Sequence, residues 1–427
     1  MRLTLLSGVT GIAALAGALA VQPAFAQDIP VGHLADQSGP TSDVGVPYAR
    51  GVADALAYVN GKGGVGGKKL AVETVDYGYQ VPRAVAQYKK WSEGASKVAA
   101  IQGWGTADTE AMIAFVTKDE IPYLSASYSA ALTDPSGKSG KAKPAPYNFF
   151  YGPSYSDAVR ALLTWAAEDW KAKGGVGKPK FVHMGANHPY PNSPKEAGEA
   201  MAKELGFDVI PPVQFAMTPG DYTSQCLTIK NAGANYAYLA NTAGSNISVL
   251  KACKTAGVTV QFMGNVWGMD ENAAKAAGDA ANGMVFPVRT GIVWNGSAPG
   301  MATLAEISKL SGADAYRPVH YIAGVCSAMY MAEAMGWAAV NGGVTGPNVQ
   351  KGMYQKKDWV PAGMDGVCLP STWTAHDHRG LMSVNIYRMN VTGATDGDVA
   401  DLVKKGTIKI DRMKTIELER KPDTLGW

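Results

Sequence analysis

Apolar and polar positions follow one another in blocks from residue 29 onward, and the blocks switch between two periods. Residues 29–34 are a short apolar run, followed by the polar, turn-forming stretch 36–43. Ala49, Val52, Ala53, Leu56 and Val59 then recur at three- and four-residue spacing, which predicts one face of a helix. Asn60-Gly61-Lys62-Gly63-Gly64 ends it with residues suited to a left-handed cap. Residues 70–75 predict a strand, and Pro82 opens a second helix bearing Ala84, Val85 and Tyr88. Residues 98–101 are apolar throughout, as a buried parallel strand should be. Met112, Phe115 and Val116 are expected to face inward from the next helix, and residues 121–125 form a fourth strand.

This β-α-β-α order predicts a parallel sheet covered by helices, with right-handed crossovers placing every strand-to-helix loop at one edge. Residues 133–147 interrupt it with Pro, Gly, Ser and Lys, and Lys138, Lys141 and Lys143 there read as a solvated loop. The alternation restarts with a helix through Tyr155, Ala158, Val159, Leu162, Leu163 and Ala166. Strands follow at 180–184, 236–240, 260–263 and 284–288, with helices through 197–205 and through Val249 and Leu250. A long helix covers 319–340, and 381–390 reads as extended. No sequence repeat is visible, yet the architecture repeats. The expected fold class is α/β, with two doubly wound parallel-sheet lobes.

Residues 1–26 stand apart. Arg2 precedes an uncharged apolar stretch to about Val21, and Ala24-Phe25-Ala26 has the small-x-small pattern of a cleavage site. They predict a signal peptide and a soluble chain, exported to the periplasm and starting at Gln27. Composition sharpens the class. The 39 Lys+Arg nearly balance the 36 Asp+Glu, which argues against a nucleic-acid partner. Four cysteines, Cys226, Cys253, Cys326 and Cys368, suffice for one or two bridges in an oxidising compartment. Pairing 226 with 253 and 326 with 368 is sterically conceivable, but three connectivities are open.

Several collinear stretches carry a resemblance. They are Val31-Gly-His-Leu-Ala-Asp-Gln-Ser-Gly-Pro40, the segment 51–64, Ile121-Pro-Tyr-Leu-Ser125, Gly220-Asp-Tyr-Thr-Ser224, Gln261-Phe-Met-Gly264, the segment 277–283 and Asp377-His-Arg-Gly380. With them the chain resembles the periplasmic solute-binding proteins of ABC-type importers, in the branched-chain amino acid (leucine/isoleucine/valine) class. The resemblance implies the type I periplasmic-binding-protein fold, with three hinge crossings near 148–151, 288–291 and 368–372. Both lobes are then discontinuous: 27–149 plus 290–367, and 150–289 plus 368–427.

The candidate chemistry lies in loops that follow strands. In Gln102-Gly-Trp-Gly-Thr106, Gly103 and Gly105 let the backbone approach a ligand closely, and Thr106 sits where a helix begins. Free N–H groups and the helix dipole favour an anion there. Thr106 also reads simply as an N-cap. Ser125-Ala-Ser-Tyr-Ser129 offers hydroxyls beside it. Family members hold a ligand carboxylate at the positions matching Thr106, Ser127 and Ser129. His188 and Tyr190 lie where the family presents an aromatic, and Asn241-Thr242, after another strand, offers a polar contact. Family members binding amino acids place an acid after the Phe-Met-Gly segment to meet the ammonium. Here Asn265 or Val266 stands there, with Asp270 and Glu271 as substitutes only if the loop shifts. Trp104, Tyr128, Tyr190 and Trp267 suggest a bulky or flat apolar ligand body.

The expected function is therefore capture of a small apolar or aromatic carboxylate, or of a branched-chain amino acid, by a monomer that delivers it to the membrane permease of an ABC importer. A ligand sensor is the alternative. A secreted hydrolase is less favoured, since no Gly-x-Ser-x-Gly elbow occurs. No cofactor, metal or catalytic residue is expected.

Overall fold

A computed structural model describes residues 27–94, 97–312 and 315–427. The signal-peptide expectation for residues 1–26 lies outside the described residues. The first lobe is built on strands β1 (Ile29–Ala35), β2 (Leu70–Asp76), β3 (Ala100–Gln102), β4 (Tyr123–Ser125) and β5 (Asn148–Phe150). They form a fully parallel sheet in the order β2-β1-β3-β4-β5. Helices α1 (Ser42–Gly61), α2 (Val81–Ser92) and α3 (Thr106–Asp119) connect its strands.

The chain then enters the second lobe through α4 (Tyr155–Ala172), β6 (Lys180–Gly185), α5 (Pro189–Asn192), α6 (Lys195–Glu204), β7 (Asp208–Gln214) and α7 (Thr223–Asn231). It continues through β8 (Tyr236–Leu239), α8 (Ala243–Thr255), β9 (Gln261–Gly264), α9 (Glu271–Ala277) and β10 (Val285–Val288). After β10 it returns to the first lobe for α10 (Met301–Ser308), α11 (Val319–Val340) and α12 (Gly346–Met353). It ends in the second lobe with β11 (Ser383–Val391), α13 (Val399–Lys404) and β12 (Ile408–Glu417). The second sheet runs β12-β11-β10-β9-β8-β6-β7. Strands β6 to β10 are mutually parallel, whereas β11 and β12 are antiparallel additions. The two-lobed α/β fold is thus as expected, with an antiparallel margin on the second sheet.

Strands β7 and β12, absent from the expected elements, are the two edges of that sheet. Pro211 and Pro212 in β7 cannot donate to a ladder, which suits an edge, and most of β12 is exposed or half-buried. Neither therefore carries a buried apolar run. Helix α1 begins at Ser42, earlier than its apolar face suggests, and Asp221 lies just before α7 with its carboxylate accepting from the Thr223 amide. Phe115 is a correction. It is 42% exposed, and the inward face of α3 is Met112, Ile113 and Val116. The 133–147 segment is a structured loop inside the first sheet, where the Asp134 carboxylate accepts from the amides of Ser136, Lys138 and Ser139. Lys141 pairs with Glu196 of the second lobe and Lys143 lies 3.6 Å from Glu110.

Two disulfides form, Cys226–Cys253 between α7 and α8, and Cys326–Cys368 between α11 and the segment returning to the second lobe. The first lobe is held together by the crossing of α1 and α11. A Cβ on Gly51 would meet the Tyr321 carbonyl oxygen at 2.1 Å, and one on Gly324 would meet that of Tyr48 at 2.2 Å. Two backbones touch at this crossing, so neither position has room for a methyl group. Gly51→Ala should lower the unfolding free energy by about 1–3 kcal/mol, read from the urea midpoint. An unchanged midpoint would contradict this packing.

Candidate functional site

Because the strands in question are parallel, the loops after them share an edge. The two edges face each other across the lobe boundary. A small cavity lies between them, with about 220 Å³ not filled by atoms and room for the centre of about one water. Every residue lining it comes from a segment just after a strand. The first lobe supplies Thr41 after β1, Tyr79 after β2, Trp104, Gly105 and Thr106 after β3, and Ala126 after β4. Tyr155 after β5, Tyr190 after β6, Thr242 after β8 and Trp267 after β9 complete it.

Helix α3 opens into this cavity. Its N-cap is Gly105, which has no side chain to cap it, and the Gly105 amide donates to the Tyr77 hydroxyl at 3.2 Å. Thr106 is its first residue, so the reading of Thr106 as the N-cap is off by one position. The Ser127 hydroxyl donates to Thr106 Oγ1 at 2.8 Å, and both residues are buried. Glycine at 105 is required, but by the protein's own side chains: a Cβ would lie 2.1 Å from the Tyr79 ring and 2.2 Å from Asp108 Oδ1. Gly103 is likewise crowded by Tyr123. Tyr79 has φ +57°, an uncommon conformation for a bulky residue.

The aromatic walls are cross-braced. Trp104 Nε1 donates to Thr41 Oγ1 at 2.9 Å, and Thr41 is held by the Asp36 carboxylate, which accepts its amide and its hydroxyl. Trp267 Nε1 donates to the Tyr155 hydroxyl at 3.1 Å. Trp104 and Trp267, from opposite lobes, meet edge to face at 4.8 Å between centroids. Tyr128 stacks on Trp267 at 5.7 Å, and Tyr190 packs against Tyr155 at 5.4 Å.

Of the expected site residues, Trp104, Thr106, Tyr190 and Trp267 line the cavity, with Ser127 and Tyr128 directly behind. The others do not. The Ser129 hydroxyl accepts from the Ala131 amide, donates to Glu110 and faces Ser193 across the lobes at 3.2 Å. His188 Nδ1 accepts from the Tyr190 amide, capping α5. Asn241 is spent on the Ala186 amide and the Phe215 and Ala216 carbonyls. Asn265 accepts from the Trp267 amide and so shapes the turn that presents the indole. Asp270 and Glu271 do not reach the cavity either. Asp270 caps α9, while Glu271 accepts from the Tyr316 hydroxyl and the Val319 amide. None of the lining residues is acidic.

Sequence reasoning missed Thr41, Tyr79 and Tyr155, whereas Thr242, expected as a polar contact beside Asn241, does line the cavity. All three follow strands, a signal available in the chain but applied only to some loops. It also missed two lobe-to-lobe latches. Glu271 of the second lobe accepts at the start of α11 in the first, and Asp43 at the start of α1 accepts from the Gly244 amide of α8 at 2.5 Å. Each places a carboxylate at a helix N-terminus, where the dipole favours negative charge. Burial nonetheless pushes Glu271 up to about 7. Asp270 is pushed up to about 8 by burial and by Glu271 beside it, and Asp108 up to about 7 by burial.

The comparisons with known proteins agree with the two-lobed fold. A model of the periplasmic binding protein family matches residues 28–398. The chain belongs to that family. No curated protein sequence matches it. A substrate-binding protein of an ABC transporter from Aeropyrum pernix superposes with a TM-score of 0.77 at 23% identity, covering 94% of this chain and 98% of that one. A branched-chain amino acid ABC transporter structure from Thermus thermophilus with bound valine gives 0.76 at 21%, covering 91% and 96%. A fatty acid ABC transporter substrate-binding protein from Thermomonospora curvata gives 0.76 at 19%, covering 92% and 93%. At these identities the likeness is one of fold.

The raised carboxyls set a sign for pH dependence. An acid held above its unfolded value contributes stability below about pH 4, and loses it as pH rises through the folded value. Asp270→Asn keeps the cap but removes the titration. The melting temperature of the variant should therefore gain on the native protein as pH rises from about 4 to about 8. A difference that stays constant across that range would contradict the assignment.

Proposed function

We propose that this protein captures a small ligand with an acidic end and an apolar body, and hands it to the membrane permease of an ABC importer. An apolar or aromatic carboxylate is the favoured class, with a branched-chain amino acid as the other. On this reading the chain acts in the periplasm, as a monomer, after residues 1–26 are removed. Opening and closing of the lobes admits and traps the guest.

The carrying observation is the composition of the interlobe cavity. A helix start with a glycine N-cap and the Thr106 and Ser127 hydroxyls stands at one side, aromatic rings form most of the rest, and no carboxylate is among the lining residues. The helix start is suited to an anionic group. The missing acid disfavours a free ammonium, because a desolvated cation without a counter-charge is costly.

The magnitudes suffice. Burying about 120 Å² of hydrocarbon is worth roughly 3 kcal/mol. Each charge-assisted hydrogen bond adds about 1.5–3 kcal/mol. Micromolar affinity needs about 8 kcal/mol. The closed form has little free volume, so the guest enters when the lobes part and the rings shift.

Calorimetric titration with aliphatic acids, aromatic acids and branched-chain amino acids should find a saturable one-to-one ligand. Thr106→Val with Ser127→Ala should weaken it by about 10- to 100-fold. Unchanged affinity in that variant would refute the anion pole, and no ligand across the panel would refute capture.

A further inference from the structure

Arg289 follows β10 and is 3% exposed. Its Nη1 donates to the Val266 carbonyl at 3.0 Å, and its Nη2 faces His320 Nδ1 at 3.5 Å. Its Nε has no partner, and among the described residues no carboxylate pairs with it. The guanidinium lies flat against Trp267, 3.7 Å from the ring centroid, and 5.5 Å from that of Tyr128. A buried guanidinium without an anion is expensive, and a face-on indole offsets only part of that cost.

The surroundings of Trp267 point the same way. The Tyr128 hydroxyl and His320 Nε2 are both buried and without partners. Their rings stand 5.7 Å and 5.2 Å from the Trp267 ring. Asp270 Oδ2, also without a hydrogen bond, is 3.9 Å from His320 Nε2. An indole ringed by unmet polar atoms, one of them a full positive charge, is chemically the wrong occupant of its place. Its N–H reaches only Tyr155. A planar body bearing oxygen atoms would stack where the indole stacks and supply the missing acceptors.

We infer that Arg289 is the anion-recognising residue of this cleft, and that Trp267 holds the place of a planar aromatic carboxylate whose acidic group pairs with the guanidinium. The inference rests on the capture reading above and narrows it to one ligand class, but it sets the acidic pole at Arg289 rather than at the start of α3, so a Thr106→Val, Ser127→Ala variant that keeps its affinity favours this pole and one that loses it overturns it. Tyr128 and His320 complete the polar shell. His320 is held neutral, its pKa well below the ordinary value through burial and the neighbouring Arg289. It can therefore accept from the guanidinium at Nδ1 and offer N–H at Nε2. When the lobes part, Trp267 swings out, because its only side-chain hydrogen bond is the one to Tyr155.

The test uses the full chain with benzoate, 4-hydroxybenzoate and the neutral isostere benzamide, followed by calorimetry and by Trp fluorescence. Leucine is the aliphatic control. The native protein should bind benzoate or its hydroxy derivative about 100-fold more tightly than benzamide. Arg289→Gln should lose that preference, with Arg289→Lys recovering only part of it. Trp267→Ala should bind benzoate at least as tightly as the native chain, because the competing ring is gone. Equal binding of benzoate and benzamide by the native protein would overturn the inference without needing any variant to fold. Binding of leucine alone, unaffected by Arg289→Gln, would overturn it while leaving the capture reading intact. If neither the aromatic acids nor leucine bind, this inference falls, and the wider acid panel above decides whether capture falls with it.

Discussion

The contact between Trp104 and Trp267 is the constraint on which the rest of the molecule turns. One indole belongs to each lobe, and they meet edge to face in a layer that also contains Tyr48, Tyr128 and Tyr155. Little space for water is left in that layer. Dispersion and apolar burial hold the lobes together here, and the same dryness makes every polar group beside the layer sensitive to its partner. The raised carboxyls at Asp108 and Asp270, the neutral His320 and the lone guanidinium of Arg289 all follow from it. The backbone of the site is thus set by strand-end loops, and its electrostatics by aromatic side chains.

The two latches show how charge is tolerated at such a boundary. Asp43 and Glu271 each reach across the lobes to a helix start, in opposite directions. The arrangement pairs an acid with fixed peptide dipoles rather than with a lysine or arginine. Such pairing is directional and short-ranged, so it acts only when the lobes are in register. On the proposed capture reading, lobes held by an aromatic layer and by short-ranged polar contacts such as these separate without breaking any covalent or helical element.

Most of the fold was legible in the sequence, because parallel strands buried on both faces leave continuous apolar runs. Residues 98–101 and 284–288 are such runs. Edge strands leave none, which is why β7, with its two prolines, and β12 went unseen. Phe115 misled because one helix can place apolar residues at adjacent phases, and Ile113 rather than Phe115 met the sheet side. The site was half legible. Loops after strands could be found, which located Trp104, Thr106, Tyr190 and Trp267. Whether a polar side chain faces a cavity or ties its own loop is a matter of a single rotamer. Asn241 and Asn265 took the second course. Arg289 escaped notice because it lies within 288–291, read only as a hinge crossing, and a sequence does not display the absence of a counter-ion.

The Cys326–Cys368 bond bears on how the halves can swing. It fastens the last returning segment to α11, the deepest helix of the first lobe, and Cys368 also pairs with Thr290 on the preceding passage. Tyr151 on the earliest passage accepts from the Leu369 amide. The three threads are thereby tied to one another and, through the disulfide, to the first lobe. If the lobes open as proposed, bending falls to the few residues beyond these ties.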